Sequence, residues 1–208
     1  DVGLIDSKYN SSYTDGTKYF NINHWGYYNY GGWSASDLRY DVLGSTNVAP
    51  SDYGSVKSSG ATGSNATNTC ATNPVAGTLM AALPSDLRAV LKPITKYTDN
   101  VGGGTGSVQS NVTATTDYLP LLSMKEVFGS TQGIANSYEG NYQAQYTYYV
   151  NGNSKVKYKH SDVNTAAWWW LRSPNYNNNN FFGCVWSSGN GNGDHANYSA
   201  ALAPAFAV

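Results

Sequence analysis

N-Y-N-N-N-N-F-F-G-C-V-W-S-S-G-N-G-N-G-D-H-A-N-Y, residues 175–198, lies between two apolar blocks. W-W-W-L-R-S-P (168–174) precedes it and A-L-A-P-A-F-A-V (201–208) follows it. Both flanks read as buried strand. Alternation in the first flank puts Trp168, Trp170 and Arg172 on one face, Trp169 and Leu171 on the other. Both faces must then be covered, as for a strand at the centre of a fold. The middle is Asn, Gly, Ser and Tyr with single Asp and His residues. Aromatics give contact area at low entropic cost and short polar side chains give adaptable hydrogen bonds, so this is the composition of a binding loop. The chain reads as a scaffold that presents this segment.

Inside the segment, Pro174 ends the strand, 181–186 reads as another strand, and S-S-G-N-G-N-G turns the chain back. Two polar stretches, 175–180 and 190–197, are thereby expected on one surface. Tyr176, Asn178, Asn192, Asp194 and His195 are expected outward on a common face, with Trp169, Leu171 and Phe206 buried beneath. Arg172 reads as a partly buried structural cation bonded to backbone carbonyls under the loop.

Composition sets the class. The chain has 208 residues, enough for one domain with a sizeable core. Twelve basic against 13 acidic residues leave a net charge of -1, which is no footprint for nucleic acid or an anionic membrane. The 40% hydrophobic content argues against disorder. Polarity comes from Asn, Ser, Thr and Gly, as in extracellular adhesive proteins. No apolar run is long enough to span a membrane. The sequence begins at Asp1 without Met or a signal peptide, which suggests a processed product or one domain of a longer protein. Cys70 and Cys184 leave pairing open.

Taken in order, the chain suggests a strand around Val2, Leu4 and Ile5, then an aromatic strand or packed loop at 24–33 broken by Gly31-Gly32. Ser34 reads as a helix N-cap with Asp37 at the capping-box position and Leu38 and Leu43 on one face, ending near Gly44. Residues 45–74 read as an inserted Gly/Ser/Thr/Asn-rich loop. A helix in two pieces follows, 77–82 and a restart at Pro84 capped by Ser85, burying Leu87, Val90 and Leu91. Strands are expected at 92–98 and 112–122. Ser123 should cap a short helix through Met124, Val127 and Phe128, stopped by Gly129. Tyr142, Tyr146 and Tyr149 recur at helical spacing as packing residues, closed by Asn151-Gly152. Residues 155–160 suggest an edge strand protected by lysines.

The combination of G-G-W-S-A-S-D-L-R (31–39), L-P-S-D-L-R-A-V-L-K-P-I-T-K-Y-T-D-N (83–100), N-S-Y-E-G-N-Y-Q-A-Q-Y (136–146), W-W-L-R-S-P (169–174) and A-P-A-F (203–206) resembles a domain family of gut bacteria and their phages. These domains look like C-type-lectin-fold proteins, and many are variable proteins diversified by retroelements that copy a template repeat with errors at adenines. The resemblance covers nearly the whole chain outside 51–73. It implies an α+β, C-type-lectin-like domain over 1–208, with two main helices, a small mixed or antiparallel sheet and long loops. It also implies an insertion at about 45–74 and a variable region at about 168–202. The implied role is recognition of a protein or glycan ligand on a target cell, by a domain outside the cell on a virion or bacterial surface. The domain would act within a longer chain or as a homo-oligomer, with no catalysis and no cofactor.

Residue choice fits that implication. An AAC or AAT codon changed only at its adenines yields Tyr, Asp, His, Ser, Gly, Phe and others, but never a stop. Asn175, Asn177, Asn178, Asn179, Asn180, Asn190, Asn192 and Asn197 are then unmutated or re-mutated sites, and Tyr176, Asp194 and His195 are single products of the same codon. These eleven are the expected ligand-binding residues. Trp186 is not reachable in this way and is assigned to the scaffold. The alternatives are an Asn-rich passive loop on a structural surface or fibre module, or an enzyme of the formylglycine-generating type, which shares the fold and uses a cysteine pair. Cys70 lies in a low-complexity loop and Cys184 in a variable-looking strand, so that activity is not carried over. His24, His160 and His195 have no carboxylate partner at metal spacing. The E-P-N or Q-P-D and W-N-D tripeptides of calcium-dependent lectins are absent, so no metal is expected. V-G-G-G-T-G lacks the Lys-Ser/Thr of a phosphate loop.

Overall fold

Ser123 Oγ accepts the Glu126 N–H at 3.1 Å while Glu126 Oε2 accepts the Ser123 N–H at 2.8 Å. This reciprocal cap starts the helix Met124–Phe128, and Gly129 ends it at φ 74°, as the sequence suggests. The computed structural model describes residues 28–49, 68–159, 162–198 and 200–208. The expected first strand, residues 24–27 of the aromatic stretch, the centre of the insertion, and His24 and His160 lie outside them.

The architecture is mixed α+β with short elements. Helices are α1 (Leu79–Ala82), α2 (Ser85–Val90), α3 (Met124–Phe128) and α4 (Thr147–Val150). Strands are β1 (Ile94–Asp99), β2 (Val112–Asp117), β3 (Lys157–Lys159), β4 (Asp162–Ala167), β5 (Trp169–Pro174), β6 (Phe181–Val185) and β7 (Gly191–His195). They form three antiparallel sheets, β1-β2, β3-β4 and β5-β6-β7.

β5 has the two covered faces that its sequence demands. Trp170 packs with Trp33, Leu38, Leu43, Phe182 and Cys184, and partly buried Trp168 joins that side. Trp169 and Leu171 pack with Met124, Val127 and Val185 on the other. Burying such side chains is the main favourable term in folding.

Several local readings are corrected. Ser34 does not cap a helix: its hydroxyl donates to the Gly31 carbonyl at 2.9 Å, because Gly31 and Gly32 (φ 79° and 50°) turn the chain tightly there. A π-helical turn, Leu38–Val42, follows instead, with Leu38 and Leu43 buried and Gly44 at φ 62°. Thr78 caps α1, accepting the Ala81 N–H at 3.3 Å, and Pro84 rather than Ser85 is the cap residue of α2. Val90 is 53% exposed, since α2 is a surface turn that buries none of its own residues before Leu91 goes inward in extended conformation. The tyrosine segment is a 3-10 turn, Ser137–Asn141, and then α4, not one helix. Tyr149 is buried, whereas exposed Tyr142 stacks on Tyr97 with ring centres 4.6 Å apart, and the Tyr146 hydroxyl accepts from Lys96 at 2.7 Å. In β3 the expected protective lysines are not all outward. Lys157 is buried with its ammonium 5.8 Å from the Trp169 ring, and this desolvation lowers its pKa. Phe206 is 56% exposed, not buried. The tail is bonded along its backbone at Ala205 (to Pro120) and Ala207 (to Lys92), and alternation turns Phe206 outward.

Two buried polar clusters tie the elements together, one joining β2 to residues 33–45 and one joining β5 to β1 and α3. Asp117 accepts from Arg39 at 2.6 Å, Trp33 at 3.2 Å, Ser45 at 3.2 Å and Thr115 at 2.5 Å. Arg172 is fully rather than partly buried. It donates to the Leu121 carbonyl at 2.7 Å, Glu126 at 2.5 Å, Thr98 at 2.9 Å and Gln143. Glu126 also pairs with Lys96. Burial alone would push the Glu126 carboxyl up, but Arg172 and Lys96 outweigh it and hold it down at about 2.

Candidate functional site

The loop 175–180 is fixed through its backbone. Tyr176 N–H donates to the Ile134 carbonyl at 2.9 Å, and Gly106 N–H donates to the Tyr176 carbonyl at 2.7 Å. Asn29, fully buried, holds the far side. Its Nδ2 donates to the carbonyls of Asn178 at 2.8 Å and Phe181 at 2.9 Å, and its own N–H donates to that of Asn179 at 2.8 Å. Asn29 Oδ1 accepts the Gly103 N–H at 2.7 Å, joining the Gly-rich turn after β1 to the same clamp. That approach needs glycine: a Cβ on Gly102 would sit 2.1 Å from the Asn29 carbonyl oxygen, at φ 63°.

Behind the turn stands Asp99. Its Oδ1 accepts the N–H groups of Val101 and Gly102 at 3.0 Å each, and its Oδ2 accepts from Asn136 at 2.8 Å. Asp99 N–H donates to Glu139 Oε1 at 3.0 Å, and Ser173 Oγ donates to Glu139 Oε2 at 2.6 Å. Glu139 thus joins the base of the turn to the end of β5, where the loop begins. Burial pushes its carboxyl up to about 7; the Asp99 N–H, the Ser173 hydroxyl and Arg172 pull the other way, and the Asp99 carboxylate adds to the rise.

The expected ligand residues divide by position. Asn177 and Asn179 are exposed at the loop tip, and Asn190 is exposed at the β6–β7 turn. Asn175, Tyr176, Asn178, Asn180, Asn192, Asp194, His195 and Asn197 are half-buried. Two of these support the loop itself: Asn175 Oδ1 accepts the Asn177 N–H at 3.1 Å and Asn178 Oδ1 the Asn180 N–H at 2.9 Å.

The two stretches meet at one end. Ala196 N–H donates to the Asn180 carbonyl at 2.9 Å, and the His195 ring meets the Phe181 ring edge-on at 4.5 Å. The other end is the turn, closed by Trp186 N–H on the Asn190 carbonyl at 2.8 Å. A five-residue strand puts Asn190 about 17 Å from that junction. The expectation of one common face is corrected by the ladder. Asn192 faces Cys184 and Asp194 faces Phe182, whereas His195 faces Phe181, so His195 points to the opposite side of the sheet. Neighbours in one strand cannot share a face. Trp186, assigned to the scaffold, is 46% exposed, because it follows the end of β6 and lies beyond the core.

Cys70 and Cys184 are both free and buried. Burial, then Asp117, pushes the Cys70 thiol up to about 12, and burial, then Asp194, pushes Cys184 up as well. A reactive cysteine needs the opposite surroundings. No group of three or more His, Cys, Asp or Glu suited to a metal ion occurs among the described residues. None of the described helices is long and apolar enough to cross a membrane.

Asn29, Asp99, Asn136 and Glu139 went unsingled in the sequence because polar residues in loops normally face water. The available signal was that the last three lie inside T-D-N and N-S-Y-E-G, two of the motifs that carried the resemblance. No curated protein and no solved structure matches the chain. A family model matches residues 17–208, and by that match the chain belongs to the family described as Domain of unknown function (DUF6273).

Proposed function

We propose that this chain is a target-binding domain of C-type-lectin fold, displayed outside the cell on a virion or bacterial surface, with a retroelement-diversified contact region within 175–198. The observation that carries the reading is the division of labour in the loop 175–180. Its backbone is bonded to Asn29, Gly106, Ile134 and Ala196, while the side chains of Asn177 and Asn179 are exposed. A loop held in this way can exchange its tip side chains without losing its path, and binding need not first order it. Short antiparallel sheets, short helices and long loops are compatible with a lectin-like fold. The chemistry is recognition: amides at 177, 179 and 190 donate and accept, and exposed Trp186 adds apolar contact. Its ligand is a protein or glycan on a target cell.

The test is a binding screen of the labelled chain on a glycan array and on intact gut bacterial cells, beside the variant N177S/N179S. The expected result is selective binding that the variant weakens at unchanged melting temperature. Binding that survives exchange of Asn177, Asn179 and Asn190 together would overturn the reading. Diversification has its own test: a near-identical repeat downstream of the coding sequence, differing only at adenines, beside a reverse transcriptase gene. Its absence would remove the retroelement and leave the binding role standing.

A further inference from the structure

Among the described residues, β7 is the last strand in the order β5-β6-β7. Edge strands present N–H and C=O groups to solvent, and proteins usually guard them with lysine, proline, a bulge or a cover. G-N-G-D-H has no lysine or proline. Its glycines at 191 and 193 offer no side chain against a second backbone. In an antiparallel ladder, alternate residues turn their N–H groups toward the neighbouring strand or away from it. Here Asn192 Oδ1 accepts the Gly193 N–H at 2.8 Å, and Asp194 Oδ1 accepts the His195 N–H at 2.8 Å. Trp186 N–H on the Asn190 carbonyl and Ala196 N–H on the Asn180 carbonyl set the even-numbered residues of this ladder toward β6, so Gly193 and His195 hold outward-facing donors.

We propose that Asn192 and Asp194 are edge caps: by holding the N–H groups of Gly193 and His195, they keep the outer edge of β7 from pairing with the same edge of a second copy of this chain. The edge is self-complementary. A two-fold axis through Gly193 sets Gly193 opposite itself and Gly191 opposite His195. Both caps lie in the segment proposed to vary, so replacing either by a side chain with no acceptor at that place would change the association state as well as the ligand face. The inference does not depend on any ligand.

The test uses four variants of the whole chain, N192A, D194A, N192A/D194A and the exchange N192D/D194N, which keeps both acceptor oxygens and the net charge. Amide hydrogen exchange read by residue should quicken by about fivefold or more, the equivalent of one lost hydrogen bond, at Gly193 in N192A and at His195 in D194A. Light scattering over a concentration series should show a dimer for N192A/D194A and the wild-type mass for N192D/D194N. If the double variant fails to fold, the single variants carry the test in the same light-scattering series, where each should exceed the wild-type mass, and two single variants at the wild-type mass would overturn the proposal. Unchanged exchange in both single variants would overturn the proposal, as would a double variant that keeps the wild-type mass. So would an exchange variant that associates as strongly as N192A/D194A.

Discussion

Asn29 Nδ2 donates to the Asn178 carbonyl at 2.8 Å across 149 residues of sequence. The side chain is uncharged and buried, and its carboxamide also serves Phe181 and Gly103. Asn29→Ala should cost about 1–3 kcal/mol, the penalty for buried groups left without a partner. It should also speed amide exchange at Gly103, whose donor loses its acceptor. Asn29→Asp should be worse, because a carboxylate cannot donate to two carbonyls. Chemical denaturation with residue-resolved exchange measures both. Stability lost without faster exchange at Gly103 would remove the clamp from the account of the loop.

Within the loop, asparagines are not equivalent. Asn177→Ser and Asn179→Tyr should shift stability by less than about 0.5 kcal/mol, the usual range for exposed positions. Asn175→Ala and Asn178→Ala should cost more, since each Oδ1 holds a backbone N–H of the same loop. Trp169→Ala and Trp170→Ala, at fully buried sites, should cost about 3–5 kcal/mol. Thermal melts of the set give the order. A tip asparagine more costly than either tryptophan would contradict the separation of scaffold from display.

Glu139 gives a pH dependence of definite sign. Its folded pKa of about 7 lies above its usual value of 4.5, so between these values the folded chain holds a proton that the unfolded chain has released. Its contribution is therefore fully present below about 4.5 and is lost as pH rises through about 7. Glu126 acts in the opposite sense in a lower window. Its carboxyl is held at about 2, so its contribution is present above 4.5 and is lost as pH falls toward about 2. Glu139→Gln should flatten the stability profile between pH 5 and 7 relative to wild type. Urea unfolding across that range checks it; parallel profiles for the two proteins would show that Glu139 does not titrate there.

Much of this was legible wherever periodicity or cap chemistry acts locally. W-W-W-L-R-S-P dictated a strand covered on both faces, and S-M-K-E-V-F-G dictated a capped helix, because each signal sits within a few residues. Phe206 and Val90 lie outward against expectation because apolar character does not say whether a short terminal or surface element has core to meet. The division of Asp194 from His195 was available from strand alternation alone, and reading the segment as loop concealed it. Asn29 could not be found this way, since its partners lie 149 and 152 residues along the chain.

Arg172 offers the sharpest separation of charge from geometry. Its guanidinium meets a carboxylate, a carbonyl, a hydroxyl and a carboxamide from β1, the segment after β2, α3 and the turn before α4. Arg172→Ala leaves Glu126 with Lys96 as its remaining cation and should cost about 3–5 kcal/mol, as for a broken buried pair. Arg172→Lys keeps the charge but has neither the planar fork nor its five donors, so it should recover only part of the loss. Its shortfall should appear as faster exchange around Gln143 and Thr98, since an ammonium near Glu126 leaves those groups unserved. Equilibrium unfolding of both variants measures the energies. Full rescue by lysine would mean that charge, not the fork, holds the four segments under the loop.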